Sequence, residues 1–342
     1  MKKTRIIKVN PENPEEDRIM AGAEIIKNGG LVAFPTETVY GLGANALDRK
    51  AVLGIYKAKE RPADNPLIVH VCNKDMIEDI AELNDVAEKL IKRFFPGPLT
   101  VVVKKKECIP QEVTAGLDTV AIRMPDNKVA LKLIELSEVP ISAPSANLAG
   151  KPSPTKAEHV IEDLYGRIDA ILDGGPTNIG LESTVVDTTV YPVELLRPGG
   201  LSVEELEKVV DIKIPELDEG IPRSPGMKYR HYAPSAELIV IYGKREDVVS
   251  KIIKTAGQLI DKSNKKIGLV VSDSEPYKDI DVEIVEIGRS VEEVARNLFS
   301  ALRELDRRGI DLIIAEGVEE KGLGLAVMNR LKKASNYRIF RV

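Results

Sequence analysis

Apolar residues at helical spacing, Ile19, Ala23 and Ile26, predict an amphipathic helix over 17–28, stopped by Gly29-Gly30. The apolar run 31–34 then reads as a short buried strand that delivers the loop Pro35-Thr36-Glu37-Thr38. Asp48 caps a helix carrying Val52, Ile55 and Tyr56, with Pro62 just beyond its end. Further apolar runs predict strands at 67–71, 99–103, 120–123, 170–172, 183–186 and 193–196, with helices around 86–95, 129–137 and 156–163. Thr155-x-x-Glu158 and Ser202-x-x-Glu205 have the form of capping boxes and mark two helix starts. Strands outnumber helices and follow no regular order, so this part reads as an α/β domain built on a mixed, twisted sheet.

After residue 210 the pattern changes. Residues 211–235 are proline-rich and cannot hold a long helix. The latter part of this stretch carries Arg223, Lys228, Arg230 and His231 with no acid, which suits an ordered arm laid over an anionic site. From 236 onwards strand and helix alternate strictly: strands at 238–242, 266–271, 282–287, 312–315 and 337–340, helices near 246–261, 291–306 and 325–334. That alternation predicts a Rossmann-like parallel α/β/α domain. Gly322-Leu323-Gly324 precedes the last helix without completing a dinucleotide fingerprint, and reads as a loop held close to a helix start. The expected organisation is a catalytic domain over 1–210, an arm over 211–235 and a second domain over 236–342.

The chain has 342 residues, 43% of them hydrophobic and 30% charged, enough for two independent cores and unlike a disordered chain. No apolar run approaches the roughly 20 residues that cross a bilayer, and no signal-peptide core follows the basic N-terminus, so a cytoplasmic protein is expected. Cys72 and Cys108 read as buried thiols with no disulfide framework. A net charge of −5 weighs against a protein that coats long stretches of nucleic acid. Local basic patches for a small anion remain compatible with it.

Several chemistries are excluded by what is missing. There is no Walker phosphate loop and no Gly-x-Ser-x-Gly elbow. The three histidines, His70, His159 and His231, show no metal-ligand spacing, so no resident metal is expected. What remains is a set of hydroxyl, amide and cationic residues: Thr36, Lys59, Arg61, His70, Arg123, Ser142, Ser145, Asn147, Ser183 and Arg197. Most fall at strand ends or in adjoining loops, where sites are built. Each also has a plainer reading. Lys59 and Arg61 could complement the dipole at a helix C-terminus. His70 could be a satisfied core histidine, Ser145 and Asn147 could make turn hydrogen bonds, and Arg123 and Arg197 could be surface ion-pair partners. As a set they read as an anion-binding α/β enzyme.

The motifs resemble one family closely. Pro35-Thr36-Glu37-Thr38-Val39-Tyr40-Gly41-Leu42, Lys59-x-Arg61 and Ser145-x-Asn147 look like those of YrdC-type threonylcarbamoyl-AMP synthases. So do Arg61-Pro62-x-x-Asn65-Pro66-Leu67, Phe95-Pro96-Gly97-Pro98-Leu99-Thr100, Arg123-x-Pro125, Leu181-Glu182-Ser183-Thr184 and Leu196-Arg197-Pro198-Gly199. The similarity covers about the first 205 residues, and the arm and C-terminal domain resemble the family's longer, two-domain form.

The resemblance implies a YrdC-like fold and a reaction in which L-threonine, bicarbonate and ATP give threonylcarbamoyl-adenylate and pyrophosphate. The product serves threonylcarbamoyladenosine formation in tRNA through a separate transferase assembly, without stable nucleic-acid binding by this chain and without a membrane. ATP, with Mg2+ bridging its phosphates, would meet Lys59, Arg61, Asn65, Thr119, Ser145, Asn147, Ser153, Arg197 and Tyr232. L-Threonine would meet Thr36, His70, Arg123, Ser142, Ala143 and Ser183, with no covalent nucleophile, and the arm 222–234 would close over the site. Two other readings stand beside it. One is a structured-RNA-binding module of the same fold, for which only Lys104-Lys105-Lys106 forms a dense basic run. The other is carbamoyl transfer from carbamoyl phosphate, which normally needs further domains.

Overall fold

The computed structural model of the chain describes residues 2–215, 232–262 and 264–342. Arg223, Lys228, Arg230 and His231, and with them most of the expected arm, lie outside the described residues. The chain forms two compact units: Met1–Ala149 with Ser153–Lys228, and Gly150–Pro152 with Tyr229–Val342.

The first unit is built on a twelve-stranded sheet. From one edge its strands run Arg5–Lys8, Ala170–Asp173, Val32–Phe34, Gly41–Asn45, Ile141–Ser142, Ile68–His70, Thr119–Arg123, Leu99–Lys105, Thr184–Asp187, Val193–Arg197 and Ile212–Lys213. A short strand, Ala81–Glu82, pairs with Leu99–Lys105 off this path. Parallel and antiparallel pairings are interleaved, as the irregular strand order predicts. The helices Glu16–Lys27 and Lys128–Ser137 cover one face, closing Ile19, Ala23, Ile26, Val129, Leu133 and Ile134 over Val32, Phe34, Ala170 and Leu172. Each of the Val, Leu, Ile and Phe side chains here stabilises by roughly 1.5–3 kcal/mol on full burial, so this contact anchors the end of the sheet from which the Thr36 loop emerges.

Two sequence expectations change here. Gly41–Asn45, where no strand is expected, is a central strand paired on both sides. The helix Ala157–Leu164 starts one residue later than the Thr155 box predicts, with Lys156 as an N-cap that makes no side-chain cap bond. His159 Nδ1 accepts from the Thr155 backbone N–H at 3.3 Å instead. Ser202 does cap its helix, accepting from the Glu205 N–H at 3.3 Å.

In the second unit five strands are all parallel, in the spatial order Glu283–Glu286, Ile267–Val271, Leu312–Glu316, Glu237–Tyr242, Ile339–Arg341. Helices Arg245–Lys262, Val291–Arg307 and Leu323–Ala334 alternate with them, and Ser290 with Glu293 forms a complete capping box at the second. A Cβ on Gly324 would fall 2.0 Å from the Glu319 carbonyl oxygen, so the Gly-Leu-Gly loop lies against its helix start. A cavity of about 280 Å³ opens at the carboxyl ends of the strands, lined by Ser272, Arg289, Glu316 and Glu319 among others. Glu316 is taken up by Ser272 N and Oγ at 2.8 and 2.6 Å and by the Tyr277 hydroxyl at 2.6 Å.

The cysteines depart from expectation in burial. Cys108 is exposed and Cys72 half-buried, and both are free thiols. Among the described residues no helix is long and apolar enough to cross a membrane.

Candidate functional site

Backbone pairing brings the two polar motifs of the first unit side by side. Ala146 N–H donates to the Tyr40 carbonyl at 2.8 Å, Leu42 N–H to the Pro144 carbonyl at 2.8 Å, and Gly41 bridges to Ser145. The helix Arg49–Lys59 points its last residue at this seam. Asp48 fixes its start, accepting from Lys50 and Ala51 N–H groups, and Glu60 ends it in the left-handed region at φ 52°. The Lys59 side chain is only 2% exposed. Its ammonium donates to the carbonyl oxygens of Ser145 and, at 2.5 Å, of Asn147. Lys59 thus ties its helix to the Ser145–Asn147 segment and carries a positive charge into a shielded position. Beyond the cap, Arg61 donates to the Asn65 carbonyl at 3.0 Å and lies over the Tyr56 ring, 5.8 Å from its centroid. The Asn65 side-chain amide is fully buried, and neither of its polar atoms has a partner among the described residues.

A second group forms where neighbouring strands end. His70 and Arg123 sit opposite each other in parallel register, and Val69 is opposite Ser142 in the antiparallel pairing. Arg123 is 4% exposed, which removes the surface ion-pair reading. Its Nη2 donates to Glu37 Oε2 at 2.6 Å and its Nε to the Gly97 carbonyl at 3.4 Å. Thr36 organises the adjoining turn: its hydroxyl meets Thr38 Oγ1 at 2.8 Å and the Val39 carbonyl at 2.7 Å. Ala143 and Ser142 are buried on the 142–147 segment, and Ser142 Oγ has no partner among the described residues.

Ser183 and Arg197 form a third group. Arg197 donates through Nε and Nη2 to the Ser183 carbonyl at 3.2 and 2.9 Å and through Nη2 to its hydroxyl at 3.2 Å, while Thr100 Oγ1 lies 2.8 Å from that hydroxyl. Gly199 makes the approach possible, because a Cβ there would fall 2.3 Å from the backbone of Ser183 and Thr184. Ser153 is buried and donates to Glu182 Oε1 at 2.5 Å.

Two further predicted residues are Thr119 and Tyr232. Thr119, half-buried, begins the strand that Arg123 ends, about 13 Å away by strand rise. Tyr232 lies in the second unit, buried, with its ring stacked on Phe299 at 5.6 Å and the Arg330 guanidinium 5.2 Å from its centroid. Conversely, Glu37, Thr100 and Glu182 contact site residues without having been singled out. All three lie inside the matched motifs, which was the signal available.

Burial, and secondarily the charge of Arg123, pushes the His70 imidazole down to about 3. In the folded chain His70 is therefore neutral at ordinary pH, whereas in the unfolded chain it takes up a proton near pH 6.5. Between those values the unfolded state binds more protons, so stability present above pH 6.5 is lost as pH falls toward 3. The slope approaches about 1.4 kcal/mol per pH unit. Urea unfolding at pH 7.5 and 5.0 should show the unaltered chain losing about 2 kcal/mol that His70→Gln does not lose. Equal losses in both would refute it.

Buried cations beside strand-end hydroxyls and amides, on a mixed sheet, are the arrangement of an α/β protein suited to holding an anion. Residues 24–199 match the family model described as "Telomere recombination", and residues 201–336 that described as "Threonylcarbamoyl-AMP synthase, C-terminal domain". A relative from Pyrococcus abyssi (strain GE5 / Orsay) named threonylcarbamoyl-AMP synthase is 58% identical over 345 residues, covering 99% of this chain and 100% of that one. One from Bacillus subtilis (strain 168) with the same name is 46% identical over 336 residues, 95% of each chain. The crystal structure of P. abyssi Sua5 complexed with L-threonine matches with a TM-score of 0.94 at 57% identity, over 99% of this chain and 100% of that one. The chain belongs to the threonylcarbamoyl-AMP synthase family.

Proposed function

We propose that the chain is a nucleotidyltransferase that makes threonylcarbamoyl-adenylate and pyrophosphate from L-threonine, bicarbonate and ATP, in the cytoplasm. The observation that supports this reading is the convergence of Lys59 on the carbonyls of Ser145 and Asn147, a shielded cation held against the polar loop that pairs with the Tyr40–Leu42 segment. The threonine amine adds to CO2 derived from bicarbonate, giving a carbamate, and the proton lost from nitrogen leaves as water with the hydroxide that bicarbonate gives up. A carbamate oxygen then attacks the α-phosphorus of ATP. The new O–P bond forms as the bond from the α-phosphorus to the bridging oxygen breaks, and pyrophosphate leaves. No protein-bound intermediate is needed, so catalysis rests on position and on cations that spread charge over the phosphorus centre.

In this reading Lys59 and Arg61 hold the triphosphate, while Asn65, Ser145, Asn147, Ser153 and Arg197 surround the nucleotide and α-phosphate. Mg2+ travels with the triphosphate as part of that substrate and keeps much of its water shell. Thr36, His70, Ser142, Ala143 and Ser183 wall the amino acid, and Arg123 takes its carboxylate, for which a guanidinium fork is suited. A fit around one methyl discriminates against serine by about 1–3 kcal/mol. A separate transferase assembly then moves the activated group onto tRNA.

The test is incubation with labelled bicarbonate, ATP and each amino acid in turn, followed by product analysis. Pyrophosphate release that needs both threonine and bicarbonate, without RNA, is the expected result. Tight, steeply salt-dependent RNA binding without that release would instead mark a binding module.

A further inference from the structure

We infer that Glu37 is the residue that recognises the amine of the amino-acid substrate; this rests on the reaction proposed above. Glu37 is 6% exposed. One carboxylate oxygen, Oε2, accepts from Arg123 Nη2 at 2.6 Å. The other, Oε1, is buried and has no hydrogen-bond donor among the described residues. A buried carboxylate oxygen without a donor is costly, because water is withdrawn and nothing replaces it. Such an oxygen is understandable where a ligand supplies the donor.

The geometry of the pair narrows the ligand. Arg123 is held by Glu37 and by the Gly97 carbonyl, which fixes the plane of its guanidinium. A positive fork and a negative oxygen are thereby locked side by side in a shielded place. An α-amino acid offers the inverse pattern: a carboxylate and an ammonium on one carbon. The fork takes the carboxylate, and Oε1 takes an N–H of the amine. The Glu37 backbone is itself pinned, since its carbonyl accepts from Ile179 N–H at 2.8 Å. His70, the other polar group on the facing strand, is kept uncharged by burial and cannot neutralise Glu37. Glu37 makes and breaks no bond in the reaction. It orients the nitrogen that must meet CO2.

The probes are L-threonine and the 2,3-dihydroxybutyrate of matching configuration, which keeps carboxylate, hydroxyl and methyl but has a hydroxyl for the amine. Binding of each to the full chain is measured by calorimetry, and threonine-dependent pyrophosphate release is measured first on the unaltered chain. That release is expected; its absence would count against the reaction and not against Glu37 in particular. The unaltered chain should bind threonine about 10–100-fold more tightly than the dihydroxy acid. Equal binding would overturn the assignment without any variant. In Glu37→Gln that preference should collapse to within about threefold while KM for ATP stays within about twofold. If Glu37→Gln weakens both ligands equally and the preference survives, Glu37 only props Arg123 and the inference fails.

Discussion

Replacing Lys59 by methionine is expected to reduce threonine-dependent pyrophosphate release by about 10²–10³-fold, the usual cost of removing one preorganised charge from a developing anion. Methionine keeps most of the stem, so packing of the helix Arg49–Lys59 is largely retained. The ammonium is lost, and with it the hydrogen bonds to the Ser145 and Asn147 carbonyls. Leaving those acceptors without that donor costs about 1–3 kcal/mol. A thermal melt therefore belongs beside the rate measurement: a folded variant with a lowered Tm and a collapsed rate fits both roles of Lys59. Arginine at this position is expected to fail as well, because a planar guanidinium cannot occupy the space of a point-like ammonium between two carbonyls. Turnover within about threefold of the unaltered chain, in a folded Lys59→Met, would remove Lys59 from the triphosphate.

What made Lys59 readable in advance was its neighbourhood in the sequence, and what sets it apart from an exposed dipole partner is burial. At a helix C-terminus a lysine complements the dipole whether or not it binds anything; only its 2% exposure and its two carbonyl partners separate the cases. Arg123 is similar. Its position at a strand end was legible, but an exposed ion pair and a buried one look alike until Glu37, 86 residues away, is seen beside it.

The fold shows the same division. The second unit was legible because its three central parallel strands, Ile267–Val271 among them, are mostly apolar runs that alternate with helices. Gly41–Asn45 was not, because Gly-Leu-Gly-Ala-Asn has little strand preference of its own. Its conformation is imposed by Val32–Phe34 on one side and Ile141–Ser142 on the other. Ile141–Ser142 and Ala81–Glu82 are too short to show any period at all. The Thr155 box failed for a local reason: His159 accepts the Thr155 N–H, and the helix begins at Ala157.

The Arg123–Glu37 pair carries the second large effect, because stability and recognition respond differently to its removal. Arg123→Met alone leaves a 6% exposed carboxylate without its cation and should destabilise the first unit by about 3–5 kcal/mol. Threonine use should fall below detection at the same time. Adding Glu37→Leu removes the stranded charge. Buried ion pairs replaced by apolar residues of similar volume are often neutral in stability, so the double variant should recover at least half of the lost urea midpoint. It should still make no threonylcarbamoyl-adenylate, since neither the carboxylate nor the amine of threonine would find its partner. Recovery of the midpoint without recovery of synthesis separates a pair kept for binding from one kept for folding. A double variant that regains threonine-dependent turnover would show that the amino acid is held elsewhere, and a double variant no more stable than Arg123→Met would show that the loss came from packing around Gly97 and not from the unpaired charge.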